Sequence, residues 1–149
     1  MLVYRLTREK YKDSLSGKGA SYRGGRWNNA GIEIIYCASN RSLAMAEVAV
    51  HVTAATMPTK YWMLEVHIPD DLEVMTAMDL PAHWNSFPYL HSTKSVGDQL
   101  IYENIYIALK VPSAVVQNDW NVLINPFHDD FDKVKIVRAE PFHFDRRLF

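Results

Sequence analysis

Apolar positions along the chain recur mostly every second residue, in short runs. Leu2 to Leu6 reads as a strand, Ile32 to Ala38 as an apolar strand, and Tyr61 to Ile68 alternates until Pro69-Asp70-Asp71 breaks it. Leu72 to Thr76, Ser113 to Gln117, Asn121 to Ile124 and Val134 to Phe144 read as further short β segments. Two stretches follow a helical period instead. Ser39 or Asn40 is placed to cap an Ala- and Val-rich helix from about Arg41 to Ala55. Thr93 or Ser95 is placed to cap a second one reaching about Lys110, with Leu100, Ile101, Ile105 and Leu109 on one face. Residues 7–31 and 77–92 read as irregular. Strands with two inserted helices, without a regular βαβ alternation, predict an α+β fold.

The chain has 149 residues, 48% of them hydrophobic, which suits a single domain over residues 1–149. Charges of both signs are spread along it and the formal net charge is −1, so no basic stripe marks it as a direct nucleic-acid binder. The N-terminal MLVYRLTREKYK is too polar for a signal peptide, and no apolar run approaches the length of a membrane span. The single cysteine, Cys37, rules out an internal disulfide and fits a reducing cytoplasm.

The stretch SYRGGRWNNAG, residues 21–31, holds the first candidate chemistry. Gly24 and Gly25 permit a tight turn and a close backbone approach to a ligand. Arg26 presents a planar fork of donors suited to phosphate or carboxylate. Trp27 either anchors the loop or stacks on a flat ring. The spacing is neither a phosphate loop nor a dinucleotide fingerprint. Glu47 lies in SLAMAEVAVHV, where nearly every neighbour is apolar. A carboxylate there needs a partner, such as an ion pair with Arg26, or a cavity. His51 follows one helical turn later, but one Glu/His pair supplies too few ligands for a metal, and no HExxH pattern occurs. Tyr36 sits in the apolar strand before the Glu47 helix. Ser113 lies in KVPSAVV without a nucleophile elbow, so a hydroxyl that bonds a ligand or Glu47 is the better reading. Asn121, Asn125 and His128 in WNVLINPFHDD read first as turn residues.

Taken in order, GGRWNNAG, IYCASNRSLAMAE, VPSAVV and NVLINPFH resemble the RES domain from about residue 4 to residue 145. That family is named for an arginine, a glutamate and a serine, matched here by Arg26, Glu47 and Ser113. The resemblance implies an ADP-ribosyltransferase-like architecture, with two small, mainly antiparallel sheets around a cleft for NAD and flanking helices. It implies a toxin of a bacterial toxin–antitoxin pair that degrades NAD at the nicotinamide–ribose bond and arrests growth. NAD is then a substrate, and no cofactor or metal is called for. It also implies Glu47 and Arg26 as catalytic residues, with Tyr36, Ser113, Trp27, Asn28 and Asn121 contacting the substrate. The implied partner is an Xre-like helix-turn-helix antitoxin, and family members are often homodimers. A protein ADP-ribosyltransferase and a binding module without turnover are the competing readings.

Overall fold

The computed structural model describes residues 1–56 and 59–149. In chain order it forms β1 (Leu2–Arg8), α1 (Lys18–Arg23), β2 (Ile35–Ala38), α2 (Arg41–Ala49), β3 (Tyr61–His67), β4 (Val74–Thr76), α3 (His91–Glu103), β5 (Ala108–Pro112), β6 (Trp120–Ile124) and β7 (Lys135–Phe142). The class is α+β, as the alternation predicts. The expectation of two sheets is corrected: the strands make one sheet in the order β4-β5-β6-β2-β1-β3-β7. Among the described residues only the β4–β5 pair is parallel. The two halves meet at a narrow seam. β1 and β2 are in register at Tyr4 and Ala38 alone, whereas β1 pairs with β3 along its whole length and every residue of β2 pairs with β6.

Period-two burial divides the core between the sheet's faces. Val3, Ile35, Cys37, Leu64, Val66 and Val122 belong to one buried cluster. Leu6, Ala38 and Met63 belong to another, covered by Leu43 and Ala44 of α2. A third cluster joins Trp27, Ile34 and Leu100 to Leu109, Val111 and Leu123, seating the Arg26 loop and α3 on the sheet.

Element boundaries differ from expectation where local hydrogen bonds or turns override hydrophobic period. Asn40 caps α2 by accepting from the Leu43 amide at 2.8 Å. The helix stops at Ala49 rather than near Ala55. Beyond it Thr53 and Thr56 exchange hydroxyl–amide bonds of 2.9 and 3.2 Å, a local alternative to the helical ladder. α3 starts at His91 with no side-chain cap, so neither Thr93 nor Ser95 plays that part. It ends at Asn104, which takes the left-handed conformation (φ 52°, ψ 41°). The chain can then enter β5, and Leu109 packs from a strand, not from the helix face its spacing suggests. The strand expected at Ser113 to Gln117 instead precedes the serine. The expected loop at 7–31 contains the end of β1 and the short α1. Among the described residues no helix is long and apolar enough to cross a membrane.

Gly97 in α3 fixes how closely this helix approaches the Arg26 loop. A Cβ there would lie 1.9 Å from the Trp27 carbonyl oxygen. Gly97→Ala gains about 1 kcal/mol of helix propensity but forces backbone apart, so a net loss of about 1–3 kcal/mol is expected. Urea denaturation checks this, and a midpoint at or above that of the parent protein would contradict the close packing.

β2 carries two groups that resist ionisation, the buried Cys37 and the half-buried Tyr36. Burial pushes the Cys37 thiol up to about 11, although the positive charge of Arg5 pulls the other way. Burial also carries the Tyr36 phenol well above its ordinary value of 10.0, against the pull of a hydrogen bond from the Trp27 amide. Both groups lose their protons more readily in the unfolded chain. Above the ordinary thiol value of 9.0 the unfolded state therefore holds fewer protons, and stability falls as pH rises. The expected slope is about 1.4 kcal/mol per pH unit for Cys37 up to pH about 11, with a similar contribution from Tyr36 above pH about 10. Cys37→Ala should remove the first part and Tyr36→Phe the second, as read by urea midpoints between pH 8 and 11.

Candidate active site

The Arg26 loop is fixed from several sides. Gly24 has φ 75°, and a side chain there would strike the Asn28 carbonyl. A Cβ on Gly25 would lie 2.8 Å from the Tyr36 hydroxyl. That hydroxyl accepts from the Trp27 amide at 3.1 Å and donates to Asn28 Oδ1 at 2.6 Å. Asn28 Nδ2 donates to the carbonyls of Ala20, Asn29 and Ile32 at 3.0–3.2 Å. Asp98 of α3 accepts from the Asn29 amide and side chain at 2.9 and 2.6 Å. Trp27, only 1% exposed, stacks against Trp84 with centroids 5.8 Å apart.

With its neighbours turned inward, Arg26 projects into a cavity of about 770 Å³ that opens along the β1–β2 seam. Its Nη1 donates to the carbonyls of Trp84 and Ser86 at 3.1 and 2.7 Å. Its guanidinium lies 4.8 Å from the Tyr89 ring centroid. Among the described residues Nε and Nη2 make no hydrogen bond, and no carboxylate pairs with the charge.

Glu47 enters the same cavity from α2. Its Oε1 accepts from Ser113 Oγ at 2.8 Å and from Asn121 Nδ2 at 2.6 Å. Ser113 Oγ itself accepts the amides of Val115 and Val116, each at 3.0 Å. With its acceptor sites filled, the single hydroxyl hydrogen is directed at Glu47. Among the described residues Oε2 carries no hydrogen bond, and no ion pair links Glu47 to Arg26.

Of the residues singled out from sequence, Arg26, Trp27, Tyr36, Glu47 and Asn121 lie in the cavity wall. Ser113 reaches it through Glu47. Asn28 does not line it. That residue is fully buried with its amide spent on the loop's own backbone, which corrects the expectation of a ligand contact there. His51 lines the cavity one turn after Glu47 and makes no side-chain hydrogen bond among the described residues. No group of three or more His, Cys, Asp or Glu gathers for a metal among those residues.

Two contributors carry no sequence signal. Arg5 of β1 lines the cavity and donates from Nη1 to the Tyr36 carbonyl at 2.8 Å, with no carboxylate partner among the described residues. The segment 84–89 supplies the carbonyls that hold Arg26 and two wall residues, Phe87 and Tyr89. An arginine in an amphipathic strand looks like a solvent-facing residue, and backbone carbonyls leave no signature at all.

Residues 2–145 match the model of the RES domain. The chain is 38% identical to "Toxin Res" of Photorhabdus laumondii, covering 99% of this chain and 97% of that protein. It is 36% identical to "Prs ADP-ribosylating toxin" of Sphingobium sp., over 91% and 87% respectively. Among solved structures, a chain of the M. tuberculosis MbcT–MbcA toxin–antitoxin complex superposes with a TM-score of 0.74 at 20% identity, over 95% of this chain and 83% of that one. That likeness concerns the fold. The family match spans nearly the whole chain and includes the arginine, glutamate and serine that meet around the cavity, and so the chain belongs to the RES domain family.

Proposed function

We propose that this protein is the toxin of a toxin–antitoxin pair and that it consumes NAD by breaking the bond between nicotinamide and ribose. One observation carries the reading. Among the described residues a single carboxylate, pinned through one oxygen and free at the other, shares a cavity with two guanidiniums that no carboxylate neutralises. NAD has the complementary set of charges, two negative on the pyrophosphate and one positive on the nicotinamide ring.

The chemistry follows from that match. The bond from the anomeric carbon to the ring nitrogen breaks with its electron pair leaving on nicotinamide, so the leaving group needs no strong acid. Positive charge develops on the ribose, as in glycosidic cleavage. Glu47 Oε2 stabilises that charge or accepts from a ribose hydroxyl, and Ser113 and Asn121 hold it in place. Arg26 and Arg5 grip the pyrophosphate. Tyr36 and Trp27 bound the pocket behind the reacting sugar. Water gives a glycohydrolase and inorganic phosphate a phosphorylase. A protein side chain gives an ADP-ribosyltransferase, a second reading favoured by the name of the Sphingobium relative. The antitoxin is of the Xre-like helix-turn-helix kind and covers the cavity. The toxin acts in the cytoplasm, where it arrests growth by depleting NAD.

Glu47→Gln should lower NAD loss by at least about 100-fold while the urea midpoint changes little. Arg26→Ala should raise the KM for NAD about 10-fold or more. Purified protein incubated with NAD, with and without phosphate, and analysed by mass spectrometry identifies the acceptor. Near-normal turnover by Glu47→Gln would overturn the mechanism.

A further inference from the structure

Phe87 is 77% exposed, yet it forms part of the cavity wall. Its ring is held edge-on against Tyr89, with centroids 5.4 Å apart and planes at 83°. Tyr89 in turn carries the Arg26 guanidinium 4.8 Å from its own centroid. The backbone just before Phe87 is held too, because Arg26 Nη1 accepts no slack there: it donates to the Ser86 carbonyl at 2.7 Å. Single exposed aromatics on a surface need no function. This one is fixed at the rim of a ligand cavity by the same arginine to which the proposed function assigns the pyrophosphate.

We propose that Phe87 is the stacking platform for the purine base of the dinucleotide. The inference rests on the reading that the cavity takes NAD. The reacting sugar must sit at Glu47, among groups that stabilise charge. The purine takes no part in the reaction, so it can lie at the open rim. It is joined to the pyrophosphate through one ribose, and the steps of 4.8 and 5.4 Å from Arg26 through Tyr89 to Phe87 keep the platform within that reach. Every base has a π-face, so an aromatic ring suffices to hold it. Phe87 thereby selects the dinucleotide over its nicotinamide half.

The test compares NAD with nicotinamide mononucleotide, which lacks the adenosine, in the parent protein, Phe87→Ala and Phe87→Trp. It also measures AMP binding by calorimetry in the Glu47→Gln background. The ratio of kcat/KM for NAD over the mononucleotide should fall about 10-fold in Phe87→Ala and recover in Phe87→Trp, and AMP binding should weaken by a similar factor. An unchanged ratio, or an equal loss for both substrates, would overturn the platform. So would unaltered nucleotide handling combined with lost antitoxin capture, which would assign the ring to the protein partner. If the parent protein leaves NAD intact but AMP binding still depends on Phe87, the proposed function fails and the platform stands.

Discussion

The seam between β1 and β2 is the constraint on which the site depends. In the middle of the sheet these strands share one register position, Tyr4 with Ala38, and then part. Parting strands ordinarily strand their backbone groups, at a cost comparable to a lost hydrogen bond. Here the Arg5 guanidinium satisfies the Tyr36 carbonyl at 2.8 Å, replacing a ladder bond with a side chain. The Tyr36 carbonyl is thereby satisfied where the strands part, and the cavity lies along that gap. Tyr36 is the joint of the arrangement. Its carbonyl is tied to the seam, and its hydroxyl organises the loop that delivers Arg26. Its half-buried side chain thus couples the edge of the opening to the position of the cation.

Local pattern carries furthest where apolar residues alternate, as in β3, or run together, as in β2 and β6. Alternation locates β3 within a residue, and of the two cap candidates, Ser39 and Asn40, the helix uses Asn40. The misreadings occur where the deciding interaction is not periodic. The Thr53–Thr56 exchange ends α2 early, and Leu109 fits a helical spacing although Asn104 has already turned the chain. The site was legible in its charged members, since Arg26 stands among glycines and Glu47 among apolar residues. It was not legible in Asn28, whose ligand-like setting hides a structural task. Arg5 and segment 84–89 were missed for a further reason: their importance comes from long-range pairing with residues 31 and 58–60 positions away.

The three charges of the cavity share one mode of support. Arg26 is oriented by the carbonyls of Trp84 and Ser86 and by the Tyr89 face, and Arg5 by the Tyr36 carbonyl. Glu47 is oriented by a hydroxyl and an amide. Every one of these partners is neutral. A salt bridge would fix the same side chains but would cancel the charge that a ligand must meet, and breaking it would cost the ligand part of its binding energy. Neutral partners aim the charge and leave it uncancelled, which is preorganisation in the electrostatic sense. The protein tolerates this because the cavity is open to solvent at its rim, where water screens the unpaired groups until a ligand displaces it. The contrast lies across β3 and β7, where Arg41 pairs directly with Glu65 and Glu140. There the charges neutralise one another and tie α2 to the sheet. The helix is thereby tied to the sheet through Arg41 in its first turn and presents the charge of Glu47, held only by neutral partners among the described residues, near its other end.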